Sequence, residues 1–235
     1  WGPTGEPAYL DEITFKFIPE NATRVTTLET GETDIIVNTP LQDYDRLSTD
    51  SNFTVMMAPV LGQPPSMIIN TEKPPTDDVK VRQAIQYAID QDEIIDVIYY
   101  GVYERAYGPL TQYNRYYDSS VEDMYPHDLD QANALLEEAG WTLGSDGIRQ
   151  KDGQPLRLVY LTFPASDGLA ELIQAQLRRA GIDVEILQLD NPANLSASQA
   201  GEHSLRWLNW LFSDAGELST TFHSKNIGSG WNFSR

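Results

Sequence analysis

The sequence predicts an α/β fold in which a mixed sheet is flanked by helices. Apolar runs of strand length alternate along the chain with segments whose apolar residues recur at helical spacing. The clearest example is a βαβ unit, with strands over 156–163 and 183–190 and a helix over 169–180. With 235 residues, 40% of them apolar, the chain is also long enough to bury a substantial core.

Strands dominate the prediction for the first part of the chain. Residues 13–17 alternate between apolar and polar side chains, as a half-buried strand does. Apolar runs bounded by turn residues predict further strands over 34–38, 53–59 and 66–70. Short helices are predicted between the early strands, over 21–30 and 41–50. This alternation of elements favours an α/β arrangement.

The strongest helix signal lies between Pro74 and Gly101. Asp77 or Asp78 stands where an N-cap is expected, and the helix dipole favours a negative charge there. Capping therefore explains this acidic pair better than a catalytic pair of carboxylates does. A second helix is predicted over 91–99. The apolar residues of the first helix recur at helical spacing: Val81, Ala84, Ile85, Ala88 and Ile89.

The rest of the chain adds a loop, a helix, a hairpin and a strand. Residues 106–126 are rich in tyrosine and have no helical period, which predicts an ordered loop. A helix is predicted over 129–139, because its apolar residues share one face and a glycine follows. Two Asp-Gly steps predict a hairpin within 144–156, and an apolar run predicts a strand over 205–212.

The charge of the chain excludes two classes of partner. The chain has 35 acidic and 16 basic residues, so its formal net charge is −19. Such a field repels nucleic-acid phosphates and anionic lipid headgroups, so we expect neither nucleic-acid nor membrane-surface binding. The absence of cysteine rules out disulfides, thiolate zinc sites and a cysteine nucleophile.

No motif in the sequence indicates catalysis, a metal or a cofactor. His127, His203 and His223 are scattered, without an HExxH motif. The GxSxG, Walker and GxGxxG motifs are also absent. A secreted hydrolase domain is the enzymatic alternative, and it needs a convergent nucleophile, base and oxyanion site that the sequence does not contain. We therefore expect a binding protein, not an enzyme.

Aromatic side chains form the clearest binding signal. Tyrosines crowd residues 99–125, and Trp207, Trp210 and Trp231 lie towards the end of the chain. Tyrosine and tryptophan combine apolar area with a polar group, which suits a cleft for an amphipathic ligand. Packing beneath a long loop is the alternative explanation for these residues.

Several stretches of the sequence match the pattern of one known family. Residues 67–95, MIINTEKPPTDDVKVRQAIQYAIDQDEII, resemble the family's F-N…P-F-D-D-x-R-V-R-Q-A-I-x-Y-A-I-D signature. Residues 10–35, 127–141, 146–158 and 222–235 resemble further family segments. The signature positions in register are Asn70, Pro75, Asp78, Val81, Arg82, Ala84, Ala88 and Asp90. On these residues the chain resembles the solute-binding proteins of ABC importers for di- and oligopeptides, nickel and related solutes.

The resemblance implies a specific architecture. Members of this family have two lobes of the type II periplasmic-binding-protein kind, which close around a solute by a hinge motion. Residues 1–235 are then expected to form a single α/β lobe, the C-terminal ligand-closing lobe of a larger two-lobe protein. The expected location is extracytoplasmic, either periplasmic or lipid-anchored at the cell surface.

The resemblance also implies a function and partners. The protein is expected to be the substrate-binding component of an ABC importer and to act as a monomer. Its expected partners are the membrane subunits of the transporter and a small-molecule solute: a peptide, a nickel chelate or a sugar-like compound. An extracytoplasmic ligand-sensing domain of a receptor is the non-enzymatic alternative.

One departure from the family pattern bears on the solute. Peptide-binding members resemble G-W-x-x-D-x-x-D-P near RWLNWLFSDAG, and their first Asp pairs with the ammonium group of the peptide. Here Trp210 and Leu211 stand about where that Asp should fall, and Asp214 lies near the second Asp. Free peptides with a charged amine are therefore not expected to bind unless Asp214 has taken over that role. The side chains expected to contact the solute are Asn209, Trp210, Asp214, Asn226, Trp231 and Tyr107.

Overall fold

The structure of the chain, a computed structural model, describes residues 10–164, 168–208 and 214–235. The chain divides into two compact units, Trp1–Met56 and Met57–Arg235. The described residues of the first unit contain two α-helices, α1 (Asn21–Glu29) and α2 (Tyr44–Thr49). Val25 of α1 and Leu47 of α2 are its buried apolar residues.

The strands predicted over 13–17, 34–38 and 53–59 are wrong, since the structure has no strand in these ranges. Phe15 and Phe17 are 92% and 94% exposed, although their alternation predicted a half-buried face. A strand is stabilised by hydrogen bonds to a neighbouring strand, and no described strand pairs with these segments. Alternation alone therefore does not produce a strand here.

The second unit carries the α/β fold that the sequence predicted. Its elements follow one another along the chain in this order: β1 (Ser66–Ile69), α3 (Val79–Ala88), α4 (Gln91–Tyr99), α5 (Leu129–Glu138), β2 (Thr142–Leu143), β3 (Arg149–Lys151), β4 (Gln154–Pro155), β5 (Arg157–Thr162), α6 (Leu169–Arg179), β6 (Asp183–Gln188), α7 (Asn191–Ala200), β7 (Leu205–Leu208) and α8 (Leu218–Phe222). Strands β2, β3 and β4 form a small antiparallel sheet where the Asp-Gly steps predicted a hairpin.

The main sheet is mixed and has the strand order β1-β7-β5-β6. Strand β5 is parallel to both β6 and β7, whereas β1 is antiparallel to β7. The chain leaves β5 through α6 to reach β6 on one side, and then returns through α7 to β7 on the other side. Two crossovers thus start from the carboxyl ends of parallel strands and lead to opposite sides of β5.

Helices α3, α5 and α6 cover one face of the main sheet. Apolar residues from all three pack with Leu158, Tyr160 and Leu205 of the strands. The opposite face holds a smaller cluster in which Leu195 of α7 packs near Phe233. The confirmed core positions of α3 are Val81, Ala84, Ile85 and Ala88, together with Ile89 just after its end.

Local chemistry explains why α3 begins where it does. Asp78, not Asp77, is the N-cap, and its Oδ1 accepts a hydrogen bond of 2.8 Å from the Lys80 backbone N–H. Helix α7 was not predicted, because its sequence NPANLSASQA is too polar for a clear apolar stripe. Its start carries a local signal nonetheless, since Asp190 caps it and Pro192 lies in its first turn.

Candidate functional site

The strand order of the main sheet indicates where a ligand crevice is expected, between the carboxyl ends of β5 and β7. In open α/β sheets, ligands bind outside the carboxyl ends of the strands, where neighbouring strands send their connections in opposite directions. The order of these strands reverses at β5, because the chain goes from β5 to β6 on one side and then to β7 on the other. The candidate functional site is therefore this crevice, which we call the β5/β7 crevice.

On the β5 side, a buried polar network fixes the backbone at the edge of the crevice. Asn194 of α7 is fully buried, and its Nδ2 donates a hydrogen bond of 3.0 Å to the carbonyl of Thr162. The same carbonyl accepts a bond of 3.1 Å from the backbone N–H of Leu189. The last residue of β5 is thus tied to the α7 N-terminal half and to the end of β6.

On the β7 side, Arg206 carries a buried positive charge. It pairs in register with Leu161 of β5 and is only 4% exposed. Its Nε donates a hydrogen bond of 2.7 Å to Ser198 Oγ, and its Nη1 donates one of 3.1 Å to the Trp207 carbonyl. Burial lowers the pKa of the guanidinium to about 10, so it remains charged at neutral pH.

Two aromatic rings flank the Arg206 guanidinium. Its central carbon lies 4.0 Å from the ring centre of Phe233 and 5.9 Å from that of Phe163, which directly follows β5. The ring of Trp231 in turn contacts Phe233 edge-on, with ring centres 5.9 Å apart. A continuous row of contacts thus joins Trp231, through Phe233, to the charge beside the crevice.

The position of Phe233 depends on a buried histidine. The carbonyl of Phe233 accepts a hydrogen bond of 2.8 Å from Nε2 of His203, which is fully buried. The Nδ1 atom of His203 is sealed from solvent and has no partner in the part of the chain that the structure describes. Burial, together with the nearby charges of Arg206, Lys73 and Arg235, lowers the pKa of His203 to about 4, so the ring is neutral at physiological pH.

Two of the side chains that the sequence predicted as ligand contacts, Asn209 and Trp210, lie outside the described residues. In sequence they follow directly after Leu208, the last residue of β7. Their assignment as ligand contacts stays a prediction.

Asp214 is exposed and has a local structural role. Its Oδ1 accepts a hydrogen bond of 2.6 Å from the backbone N–H of Gly216 and so caps the short turn Ala215–Glu217 that leads into α8. Its Oδ2 has no partner among residues 10–164, 168–208 and 214–235. One carboxylate oxygen therefore remains available for a ligand donor.

Asn226 and Trp231 differ in their surroundings. The side-chain amide of Asn226 donates hydrogen bonds of 2.9 and 3.2 Å to the carbonyls of Ser219 and Thr220 in α8, so its donors are occupied. Trp231 is 37% exposed and leads through Phe233 towards Arg206. The assignment of both residues as ligand contacts stays a prediction.

Tyr107 belongs to the tyrosine-rich loop and lies next to Arg105. The guanidinium of Arg105 lies 5.0 Å from its ring centre, and 39% of the residue is exposed. No hydrogen bond or ring contact found within the described ranges joins it to the β5/β7 crevice. Its role in binding stays a prediction.

Sequence reasoning missed Arg206, His203 and Asn194. A signal was present for Arg206, because a charged residue inside the apolar run LRWL is costly to bury and is rarely found there without a reason. Asn194 carried no such signal, since its environment depends on the unpredicted helix α7.

The described residues contain no group of three or more His, Asp or Glu side chains that could hold a metal ion. None of the helices within those residues is long and apolar enough to cross a membrane.

Comparison with known proteins places the chain within one family. The family model described as bacterial extracellular solute-binding proteins, family 5 Middle, matches residues 1–230. The chain is 35% identical over 193 residues to the nickel-binding periplasmic protein of Escherichia coli, covering 78% of the chain and 36% of that relative. It is 30% identical over 223 residues to heme-binding protein A of Haemophilus influenzae, covering 93% of the chain and 40% of that relative.

Solved structures agree with this assignment. NikA from Brucella suis in complex with Fe(III)-EDTA matches with a TM-score of 0.82 and 29% identity, over 100% of this chain and 47% of that one. The oligopeptide-binding protein AppA from Bacillus subtilis, in complex with a nonapeptide, matches with a TM-score of 0.75 and 25% identity, over 92% of this chain and 44% of that one. The chain thus spans less than half the length of these relatives. The matches confirm the resemblance and the fold class that the sequence predicted.

Proposed function

The chain belongs to family 5 of the bacterial extracellular solute-binding proteins, and we propose that the protein that carries it is the substrate-binding component of an ABC importer. Curated relatives are named for binding nickel, heme and dipeptides, which supports a role in solute capture. The observation that carries the proposal is the β5/β7 crevice, because it stands where α/β folds bind small ligands and is bordered by aromatic and charged side chains.

We propose that solute is captured by hinge closure of two lobes. Residues 1–235 act as the C-terminal, ligand-closing lobe, and the β5/β7 crevice forms one wall of the cleft. The length of the relatives supports this view, since the chain covers 36% and 40% of the first two. The opposite wall then comes from the remainder of a protein of that length.

The exposed apolar residues of the first unit fit the same arrangement. Phe15, Phe17 and Ile35 are 92%, 94% and 82% exposed, a state that costs free energy unless other protein covers them. In a two-lobe protein, the further chain supplies partners for these segments. The apolar side chains that alternate over residues 13–17 would then be covered by that further chain.

The proposed solute is a small molecule of the peptide, nickel-chelate or sugar-like kind. Trp210 and Trp231 stack on it, and Asp214 accepts a hydrogen bond or pairs with a cationic group through Oδ2. The occupied amide of Asn226 makes it the weakest of the predicted contacts within the described residues. The protein binds its solute without converting it and works as a monomer outside the cytoplasmic membrane, where it delivers the solute to the transporter's membrane subunits.

The test is to purify the full-length protein from its native host and identify the small molecules that it carries by mass spectrometry. We expect one solute, released chemically unchanged after incubation with the protein and taken up by cells only when the transporter is present. A full-length protein that carries no solute, or that converts one into a product, contradicts the proposal. Uptake that persists without the protein, coupled to a lost signalling response, favours the receptor alternative.

A further inference from the structure

We propose that Arg206 anchors an anionic group, in the first instance a carboxylate, of the solute held in the β5/β7 crevice. This inference rests on the proposed function and narrows its chemical class of solute. It follows from the contrast between two buried arginines, from the open side of Arg206 and from its place in the sheet.

Arg149 shows what a purely structural buried arginine looks like in this chain. It is 3% exposed, and all of its nitrogen atoms have partners. Its Nε and Nη1 donate to the carbonyls of Ala180 and Trp141, and its Nη2 donates to Asn133 Oδ1. The carboxylate of Glu137 lies 3.6 Å away and compensates the charge. Nothing in this set is left for a ligand.

Arg206 has an incomplete set of partners at almost the same burial. Its Nε and Nη1 are bonded, but its Nη2 has no partner within the described residues. No described carboxylate forms an ion pair with it, although the chain has 35 acidic residues. A buried cation without a counter-ion is costly, and a ligand carboxylate would supply both the missing charge and the missing acceptor.

The unpaired amino group is not sealed inside the protein. The sealed side-chain atoms without partners include Nδ1 of His203 but not Nη2 of Arg206. The small exposed fraction of Arg206 therefore includes the one donor group that lacks a partner. A ligand oxygen can reach this group without displacing the bonds to Ser198 and Trp207.

The guanidinium is held in place before any ligand arrives. Ser198 Oγ and the Trp207 carbonyl fix two of its nitrogen atoms, and the ring of Phe233 lies 4.0 Å from its central carbon. His203 holds the Phe233 backbone through the bond of 2.8 Å to its carbonyl. Because little side-chain freedom remains to be lost on binding, an anion gains affinity from this preorganisation.

The location of Arg206 matches the ligand side of the sheet. It lies on β7 opposite Leu161 of β5, and Phe163 at the end of β5 stands 5.9 Å from its guanidinium. These two strands border the crevice. Arg157 provides a contrast, since it starts β5 at the opposite edge of the same sheet and forms an exposed ion pair with Asp183 at 2.8 Å.

The first experiment observes the guanidinium directly. Full-length protein labelled with 15N-arginine is titrated with acetate and with citrate, and the Nε–Hε resonances are followed by NMR. Arg206→Lys identifies the Arg206 resonance by its loss. We expect that resonance to shift saturably with at least one anion while the Arg157 resonance does not. An Arg206 resonance that responds to neither anion overturns the inference.

The second experiment measures citrate affinity by calorimetry in the full-length protein. Arg206→Met keeps the apolar stack on Phe233 but removes the charge, and we expect the Kd for citrate to rise at least about tenfold. Arg206→Lys should retain part of the affinity, and the matched control Arg157→Met should leave it unchanged. Equal Kd values for wild type and Arg206→Met overturn the inference, provided that circular dichroism shows both proteins to be folded. If Arg206→Met does not fold, the Kd of Arg206→Lys is compared with that of wild type instead.

These outcomes are separable from those of the proposed function. A full-length protein that carries a solute, yet has an Arg206 insensitive to both anions, overturns only the anchoring role. A solute without any anionic group does the same. A full-length protein that carries no solute overturns the proposed function, whatever the response of Arg206 to acetate and citrate.

Discussion

His203 makes stability depend on pH at the scale of a single residue. Its pKa falls from 6.5 to about 4 on folding, because burial disfavours the charged ring. Above pH 6.5 the ring is neutral in both states, and its contribution to stability is fully present. Between pH 6.5 and 4 the unfolded chain binds a proton that the folded chain does not, so the free energy of unfolding falls as the pH falls. The loss reaches at most about 3 kcal/mol.

The measurement is denaturant unfolding at several pH values between 4 and 7 for wild type and His203→Gln. Glutamine can still donate a hydrogen bond to the Phe233 carbonyl but does not titrate. Between pH 7 and 4, His203→Gln should therefore lose about 1–3 kcal/mol less stability than wild type loses. His223→Gln is the matched control, since His223 is exposed. If His203→Gln and wild type lose stability in parallel, the buried ring is not responsible.

The roles of individual side chains in the candidate site could be predicted from the sequence only in part. Asp214 and Asn226 are polar residues in a loop-rich segment, and such residues are as often helix or turn caps as ligand contacts. Arg206 was missed for a different reason, because the apolar run over 205–212 predicts a buried strand and says nothing about which of its side chains find partners. His203 lies outside that run. Whether a buried donor is satisfied depends on residues distant in sequence, such as Ser198 and Phe233.

At the scale of an element, helix α3 offers a test of one capping residue. Asp78→Ala removes the hydrogen bond of 2.8 Å to the Lys80 N–H and should lower the free energy of unfolding by about 1 kcal/mol. Asp77→Ala removes the same charge one residue earlier but breaks no cap bond. It should change the free energy of unfolding by less than about 0.5 kcal/mol. Urea unfolding followed by circular dichroism measures both. Equal effects of the two substitutions would mean that charge near the helix start, and not the cap bond, matters.

Elements with local causes were predictable, whereas elements with distant causes were not. The cap and apolar spacing of α3 lie within the helix itself, and its core residues are buried as expected. The predicted strand over 13–17 needed a neighbouring strand, which no local pattern can supply. Helix α7 was present but not predicted, because its burial comes from packing on the sheet and not from a strong apolar stripe.

At the scale of the whole molecule, the net charge of −19 should make the chain more stable in salt. Like charges repel most in the compact state, and raising NaCl from 0.1 M to 1 M shortens the screening length from about 10 Å to about 3 Å. We expect the melting temperature to rise by at least about 2 °C, measured by differential scanning fluorimetry.

A general salting-out effect predicts a rise as well, so the variant Asp96→Asn/Asp123→Asn/Glu185→Gln separates the two causes. These carboxylates are exposed and make no hydrogen bond or ion pair with other described residues, so their loss lowers the negative charge without removing such a contact. The variant should melt higher than wild type at 0.1 M NaCl and gain less from added salt, whereas an equal salt response in both proteins would rule out charge repulsion as the cause.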